Sequence, residues 1–578
     1  MKYKYCHAAL IWMACMILQA PLIAQIPPLQ WTKQFGGSST DIPYSIKFTV
    51  DGGCIIAGYT DSKDGDIQQH AQRDYWDLWI LKLDKCGNIQ WERSFGGTDY
   101  ETAKDVIQTS DGGYMIAGET SSTDGDVISG YGSTRDIWVL KLDANGNLQW
   151  QKRYGGNGLD IGNNIYPLSD GNFLIAASSS SNDGDITGNH GTGGYTDGVL
   201  MKIDASGNML WSKCYGGSKN DELLNIQVIN NKIFVCGYAN STDGDIPSNQ
   251  KNYDVWFLST DMDGNKQFSK IYGGSQNDVA YSMAKGTDNT LTLAGYTTSR
   301  DGDVSGDKGS QDFWILNLDL NGMLKWQVTA GGTDAEYADV IIADKDGGYI
   351  AGGVSYSSDI DVTEPKGEGD YWVMKISAAG KISWKKNLGG DENDHLRSIA
   401  YQPALNEYLF AGDTESSDGD FKKGNGNADF GIFKFKQPEI ILIDTAVCPG
   451  TPFVQVTDTL KDICGYDSAV VMFHPNSKNC EFAYLTKSDT LYIPNAFTPN
   501  GDGKNDVFGP AGKIQGEYLM KVFNRNGEIV FQSNDINTRW NGIYRGMPQP
   551  TGTFVYIIRY ANLHNEMKLK KGSFVLIR

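Results

Sequence analysis

The chain runs to 578 residues, more than a single hydrophobic core usually serves, so several domains are expected. It carries 70 acidic against 50 basic residues, a net charge of −20, which argues against a nucleic-acid partner because such binding rests on cations meeting phosphates. Its 69 glycines, set as turns between short aromatic and β-branched runs, predict an all-β chain.

The N-terminus reads MKYKYCH, then AALIWMACMILQAPLIA, then QIPPLQW. A short basic region, an apolar stretch and a small residue before a polar start predict a secretory signal peptide over residues 1–24, cleaved after Ala24. Cys15 does not make a lipobox, because Trp12 and Met13 fit that pattern badly. No later stretch is apolar for long enough to span a bilayer, so the expected mature chain is exported and soluble.

From Leu29 the sequence repeats. A glycine pair preceded by an aromatic residue, Leu or Ala begins at positions 36, 96, 155, 216, 273, 331 and 389, spacings of 57 to 61 residues. Self-similarity at such a period marks a repeat architecture. In the second copy, ETAKDVIQTS, YMIAGETS, RDIWVLKLD and LQWQKRYGG are separated by turn residues, which predicts four strands with hairpin turns at DGG (Asp111 to Gly113) and ANGN (Ala144 to Asn147). Four strands per repeat predict a seven-bladed β-propeller over residues 25–436. The phase of the ends agrees with a closed ring. The chain starts with a fourth-strand pattern, LQWTKQFGG, and the last copy stops at its third, DFGIFKFK. The stretch LDANGNLQW resembles the tryptophan-bearing repeats of quinoprotein-type propellers, and the paired glycines resemble kelch repeats; both resemblances imply architecture alone. Trp79, Trp138, Trp256, Trp314 and Trp372 recur on the third strand, and Trp31, Trp91, Trp150, Trp211, Trp326 and Trp384 on the fourth. Packing between repeats is the expected role for side chains with so much apolar area.

Each copy also carries an acidic turn between its second and third strands. The turn aspartates are Asp64 and Asp66, Asp124 and Asp126, Asp183 and Asp185, Asp243 and Asp245, Asp301 and Asp303, and Asp418 and Asp420; the sixth copy reads DID at Asp359 to Asp361. A carboxylate follows every first glycine by five residues (Asp41, Glu101, Asp160, Asp221, Asp278, Glu336, Asp394), and an aspartate begins every third strand (Asp77, Asp136, Asp197, Asp254, Asp312, Asp370, Asp429). By strand order all three positions lie on one rim. Carboxylates with loop carbonyls suit Ca²⁺, which makes calcium a candidate cofactor. Asp and Gly are equally the residues that plain turns select, and the spacing is not that of an EF-hand.

Where the copies differ, a ligand site is sought. From the second turn aspartate to the third strand the chain takes 11, 10 and 12 residues in copies one to three and 9 in the rest. The longer loops bring His70, Tyr75, Trp76, Tyr131, His190 and Tyr195, aromatic groups suited to a glycan or protein ligand. Loops folded back over the repeat edge are the alternative. No HExxH, GxSxG or phosphate-binding glycine loop is present, and the repeated carboxylates behave as structural residues, so a non-catalytic binding protein is expected; a polysaccharide-active enzyme working at the ring axis is the alternative.

After Lys436 the repeat ends. Residues 437–490 hold Cys448, Cys464 and Cys480 among short β-like runs, which predicts a small Ig-like or linker module with one disulfide. From Leu491 the chain reads LYIPNAFTPNGDGKNDVF, YLMKVFNRNGEIVFQS, TRWNGIYRGMPQPTGTFVYIIRY and KLKKGSFVLIR. Residues 491–578 resemble the gliding-motility-associated C-terminal domain of Bacteroidetes proteins, the type B sorting domain of type IX secretion, through Asn495, Phe497, Pro499, Asn500, Asp502, Asn505, Asp506, Trp540 and Gly542. The resemblance implies recognition by the outer-membrane export machinery after passage through the periplasm. The sequence itself predicts a compact, seven-stranded antiparallel sandwich. Asn500, Asp502, Asn505 and Asp506 do not complete an EF-hand, since Lys504 and Ala511 occupy ligand positions.

Overall fold

A computed structural model of the chain describes residues 27–68, 75–128, 130, 134–191, 193–247, 252–306, 309–422, 424, 426–436, 439–445, 459–461, 467–475, 491–493, 496–499, 506–512, 517–561 and 567–578. The signal segment, His70, Tyr131 and the cysteines of 437–490 lie outside them. The chain divides into two compact units, Met1–Gln437 and Pro438–Arg578.

The first unit is all-β. Among the described residues it holds seven four-stranded antiparallel sheets that resemble propeller blades. Sheet 2 shows the plan with strands Glu101–Gln108, Tyr114–Thr120, Asp136–Leu142 and Leu148–Tyr154, each beside the next. The first strands of sheets 1 and 3 to 7 are Asp41–Phe48, Asp160–Pro167, Asp221–Ile229, Asp278–Lys285, Glu336–Ala343 and Asp394–Gln402. Sheet 7 draws its fourth strand from the far end of the chain, where Leu29–Phe35 pairs antiparallel with Asp429–Lys436.

Second and third strands are covered on both faces. CIIAGYT (Cys54–Thr60) and DLWILKL (Asp77–Leu83) are buried at every position, and continuous apolar runs of this kind suit strands sandwiched between layers. Trp79, Trp138, Trp256, Trp314 and Trp372 have no exposed surface, so the third-strand tryptophans are core. The fourth-strand tryptophans work between sheets. Trp91 lies over Gly146, and Trp31 over Gly87, in the last turn of the following sheet, where an added Cβ would crowd the indole. First strands pack against first strands in cyclic order, Asp41–Phe48 between Glu101–Gln108 and Asp394–Gln402.

In the second unit, Glu439–Thr445 runs parallel to Asp467–Pro475, which Thr459–Lys461 joins antiparallel. Further on, a five-stranded sheet combines Ala496–Phe497, Met567–Leu576, Gly552–Ala561, Tyr518–Phe523 and Ile529–Ser533. It is mixed, not wholly antiparallel as the sequence suggests, because Ala496–Phe497 joins its neighbour in parallel. Two further two-stranded pairs accompany it. Phe497, Phe508, Trp540, Phe554 and Phe574 form its aromatic core, which explains why the motif spends large apolar residues there.

Candidate binding site on the inner strands

The acidic turns hold backbone. Gly36 donates its amide to Asp66 Oδ2 (3.1 Å), Ser38 donates to Asp64 Oδ1 (2.6 Å), and Asp66 returns its own amide to the Gly36 carbonyl (3.0 Å). The turn inside a sheet thus clasps the connection that leads into that sheet. The same bonds recur throughout: Asp124, Asp183, Asp243, Asp301 and Asp418 each accept the amide two residues beyond the first glycine at 2.7–2.9 Å. Asp126, Asp245, Asp303 and Asp420 accept the first glycine's amide at 3.1–3.4 Å, and Asp185 takes Gly155 in the same way. Among the described residues, no three His, Cys, Asp or Glu side chains are grouped to hold a metal ion.

The other two acidic positions are not a hydrated rim. Asp41, Glu101, Asp160, Asp221, Asp278, Glu336 and Asp394 are fully buried, as are the aspartates that begin the third strands. Each first-strand carboxylate takes the amide of the second glycine and a serine or threonine hydroxyl; Asp41 accepts from Gly37 (2.8 Å), Thr60 and Ser62 (2.9 Å). A third-strand aspartate and the first-strand carboxylate of the next sheet face the same first glycine, Asp77 and Glu101 at Gly96 for example, and a Cβ there would overlap both. Burial raises the seven first-strand carboxyl groups and those of Asp197 and Asp370 above the ordinary value, and takes Asp197 and Asp394 to about 6.

The long loops divide. His190 donates its amide to Asp197 Oδ2 (2.7 Å) and sets its Nδ1 at 2.8 Å from the same oxygen, so this loop folds back over its own sheet and leaves Tyr195 exposed. At the start of the third strand of sheet 1, Tyr75 and Trp76 instead join an aromatic group. Tyr75 packs on Tyr100 (centroids 4.7 Å apart), Trp76 stacks on Tyr59 (4.5 Å) and meets Tyr100 edge-on, and Tyr59 contacts Tyr44 (6.2 Å).

Tyr44 stands at a position that repeats in geometry but not in chemistry. In every first strand the register slips by one residue, a β-bulge three positions after the buried carboxylate. The seven bulged residues are Tyr44, Lys104, Asn163, Leu224, Tyr281, Asp339 and Arg397, all half-buried. Bulges re-aim side chains, and three of these meet across adjoining first strands. Lys104 Nζ lies 4.2 Å and Arg397 Cζ 5.8 Å from the Tyr44 ring centroid, one from each neighbouring sheet. Lys104 and Arg135 both face Glu119 (3.6 and 3.2 Å), Arg397 pairs with Asp413 (2.7 Å), and His395 Nε2 sits 2.7 Å from Asp339 Oδ2. Further round, Asn163 bonds Ser178 (3.0 Å), and Tyr281, Tyr296 and Tyr337 contact in series. Glu222 accepts from Ser178 (3.2 Å) and from Tyr238; burial raises its carboxyl pKa, against which Lys104, two sheets away, acts. The sequence pattern singles out Tyr75 and Trp76 of this group and misses the bulge position.

Residues 491–577 match the type IX secretion signal domain family, so the protein is exported across the outer membrane to the cell surface or beyond, through interaction with the type IX machinery. Phe497 and Trp540 of its motif are core; Gly542 has φ 76° and offers its carbonyl to Arg578 (3.0 Å), with Pro499 beside it. Asn495, Asn500, Asp502 and Asn505 fall outside the described residues, and Asp506 follows them. The chain is also similar to the regulatory protein FlaEY of Caulobacter vibrioides, 22% identical over 397 residues; the match covers 61% of this chain and 40% of that protein, so the chain spans under half of its length. Among solved structures it is similar to a luciferin-regenerating enzyme (10% identity, TM-score 0.31, 70% of this chain and 95% of the other). It is likewise similar to a subtype N11 neuraminidase-like protein of A/flat-faced bat/Peru/033/2010 (10%, 0.34, 72% and 96%) and to Sqt1 from Chaetomium thermophilum (9%, 0.32, 70% and 91%). At these TM-scores the likenesses carry no argument. Among the described residues no helix is long and apolar enough to cross a membrane.

Proposed function

We propose that the exported chain is a binding protein of the cell surface or medium, its first unit a closed seven-bladed β-propeller that takes a glycan or protein ligand at the mouth formed by its inner strands. Closure is supported by the pairing of Leu29–Phe35 with Asp429–Lys436 and by the cyclic packing of first strands. The observation that carries the binding reading is the bulge position. There the repeat keeps its backbone and varies its chemistry, whereas residues that serve the scaffold, the glycine pairs and buried carboxylates, stay the same in every copy. We further propose that the acidic turns serve as backbone clasps, with calcium at them the competing reading.

A second reading, a polysaccharide-active enzyme, is favoured by one observation: Glu222 is a carboxyl raised by burial and bonded by Tyr238 and Ser178 within the same inner ring. Such a group is a candidate proton donor. The two readings part on turnover. Purified full-length protein incubated with a panel of polysaccharides and envelope proteins should bind without releasing reducing ends or unsaturated sugars. Release that disappears in Glu222→Gln would replace the binding reading with the enzymatic one.

A further inference from the structure

We infer that the inner site takes a neutral saccharide, with sugar rings laid along the aromatic run of Tyr75, Tyr100, Trp76 and Tyr44. The inference rests on the binding reading above and narrows its ligand. Tyr75 is 43% exposed, and Trp76, Tyr100 and Tyr44 are half-buried, with the buried Tyr59 beneath Trp76 fixing its plane. These rings, in contact one after another with Tyr59 linking Trp76 to Tyr44 and tilted or edge-on at most steps, bring apolar ring carbon and phenolic hydroxyls together, a match for a sugar, whose faces are apolar C–H and whose edges are hydroxyl.

Charge selects among sugars. At the inner end of the run stand three cations, Lys104, Arg135 and Arg397, and three carboxylates, Glu119, Asp413 and Asp339. Arg397 answers to both Asp413 and Asp339. Each of these cations faces a carboxylate, His395 also faces Asp339, and Glu222 feels Lys104, so no surplus cation waits for a uronate or sulfate. What remains is a fixed array of donors and acceptors of the kind that hydroxyl groups satisfy in both directions. The rest of the chain adds repulsion against polyanions, with a net charge of −20. A protein partner would need a broad, complementary patch, and the run is instead bordered by charges already paired within the chain.

The test is affinity electrophoresis and calorimetry of the full-length protein with neutral polysaccharides (xylan, mannan, mixed-linkage β-glucan, starch) and acidic ones (alginate, polygalacturonate), at low and high sodium chloride. The expected result is retention by at least one neutral polymer, unaffected by salt, and at least about tenfold weaker binding (~1.4 kcal/mol) in Tyr44→Ala and in Trp76→Ala. Lys104→Gln, which removes the charge and keeps a donor on a side chain one bond shorter, should weaken it less than either. Melting curves of the variants identify any that fail to fold, and Tyr100→Leu provides a further substitution on the same run. Tighter, salt-sensitive binding of alginate or polygalacturonate would overturn the neutral assignment while leaving a glycan-binding protein. Binding to no polysaccharide, with capture by an envelope protein, would overturn the inference and direct the binding reading to a protein ligand. Binding to nothing in either panel would overturn both.

Discussion

Asp370 and Asp394 face Gly389 from two different sheets, the first at the start of a third strand and the second on the next sheet's first strand, and both are almost wholly buried. Asp394 Oδ1 takes the Thr414 hydroxyl and Oδ2 takes Gly390 and Ser416, while Asp370 Oδ2 takes the Lys366 amide (2.7 Å). Two buried carboxyl groups on either side of one glycine Cα oppose each other's ionisation, and the arrangement recurs at every junction between sheets.

Stability should therefore rise on mild acidification. A carboxyl whose folded pKa exceeds its unfolded value holds a proton the unfolded chain has released, so stability is lost as pH climbs through the interval between the two. For Asp197 and Asp394 that interval runs from 3.8 to about 6. Groups held low act in reverse: Asp111, drawn to about 2 by Thr109 and Lys141, gives up stability as pH falls below 3.8. The melting temperature is expected to increase from about pH 7 to about pH 5 and to drop below about pH 4. A flat or falling curve between about pH 7 and 5 would contradict the buried pairs.

Ile360 should be replaceable with profit. Six acidic turns place glycine at φ 61–69°, and the sixth copy puts Ile360 there at φ 54°, a region costly for a β-branched residue. Its clasp is correspondingly long, with Asp361 N to Gly331 O at 3.3 Å against 2.8–3.0 Å elsewhere. Ile360→Gly is expected to stabilise by about 1 kcal/mol after the entropic cost of glycine. An unchanged or lowered denaturation midpoint would remove the strain argument.

The clasp reading separates from the calcium reading at Asp124, which accepts the Thr98 amide (2.8 Å) and hydroxyl (2.9 Å). Asp124→Ala should cost about 1–3 kcal/mol, and Asp124→Asn, which keeps one acceptor, less. If clasping is its whole role, melting in calcium and in chelator coincides for the parent chain. A calcium-dependent rise in melting temperature that is absent from Asp124→Asn would assign a metal to the turn.

Export depends on the last unit. A chain truncated before Leu491 should accumulate in the periplasm, read by cell fractionation and by the absence of protein in medium and on intact cells. Normal secretion of the truncation would show that the matched domain is not the address.

Much of the scaffold was legible because the same physical demand recurs at each repeat. Gly112 and Gly146 stand out as turns, and Asp111 and Asp143 as residues that bond their own backbone. Less visible was the fate of the carboxylates: Asp41 and Asp77 read as rim charges, yet close packing around Gly36 and Gly96 buries them. The bulge position escapes a reading of the pattern because repeats show themselves by constancy, and Tyr44, Lys104 and Arg397 share a place without sharing a type. A bulge also breaks the alternation that tells which face a strand residue takes, so nothing before the structure aimed Lys104 at Tyr44. Cys86 is a further case: it is disulfide-bonded, whereas Cys54, Cys214 and Cys236 are free, a distinction spacing does not reveal.

The most direct measurement is the dissociation constant of the full-length protein for its best polysaccharide, compared between Tyr44→Ala at the inner end of the aromatic run and Tyr195→Ala on the exposed loop of sheet 3. An inner site predicts a loss of about tenfold or more for Tyr44→Ala and no change for Tyr195→Ala. The reverse order would place the ligand on the outer loops and contradict the inner-strand site.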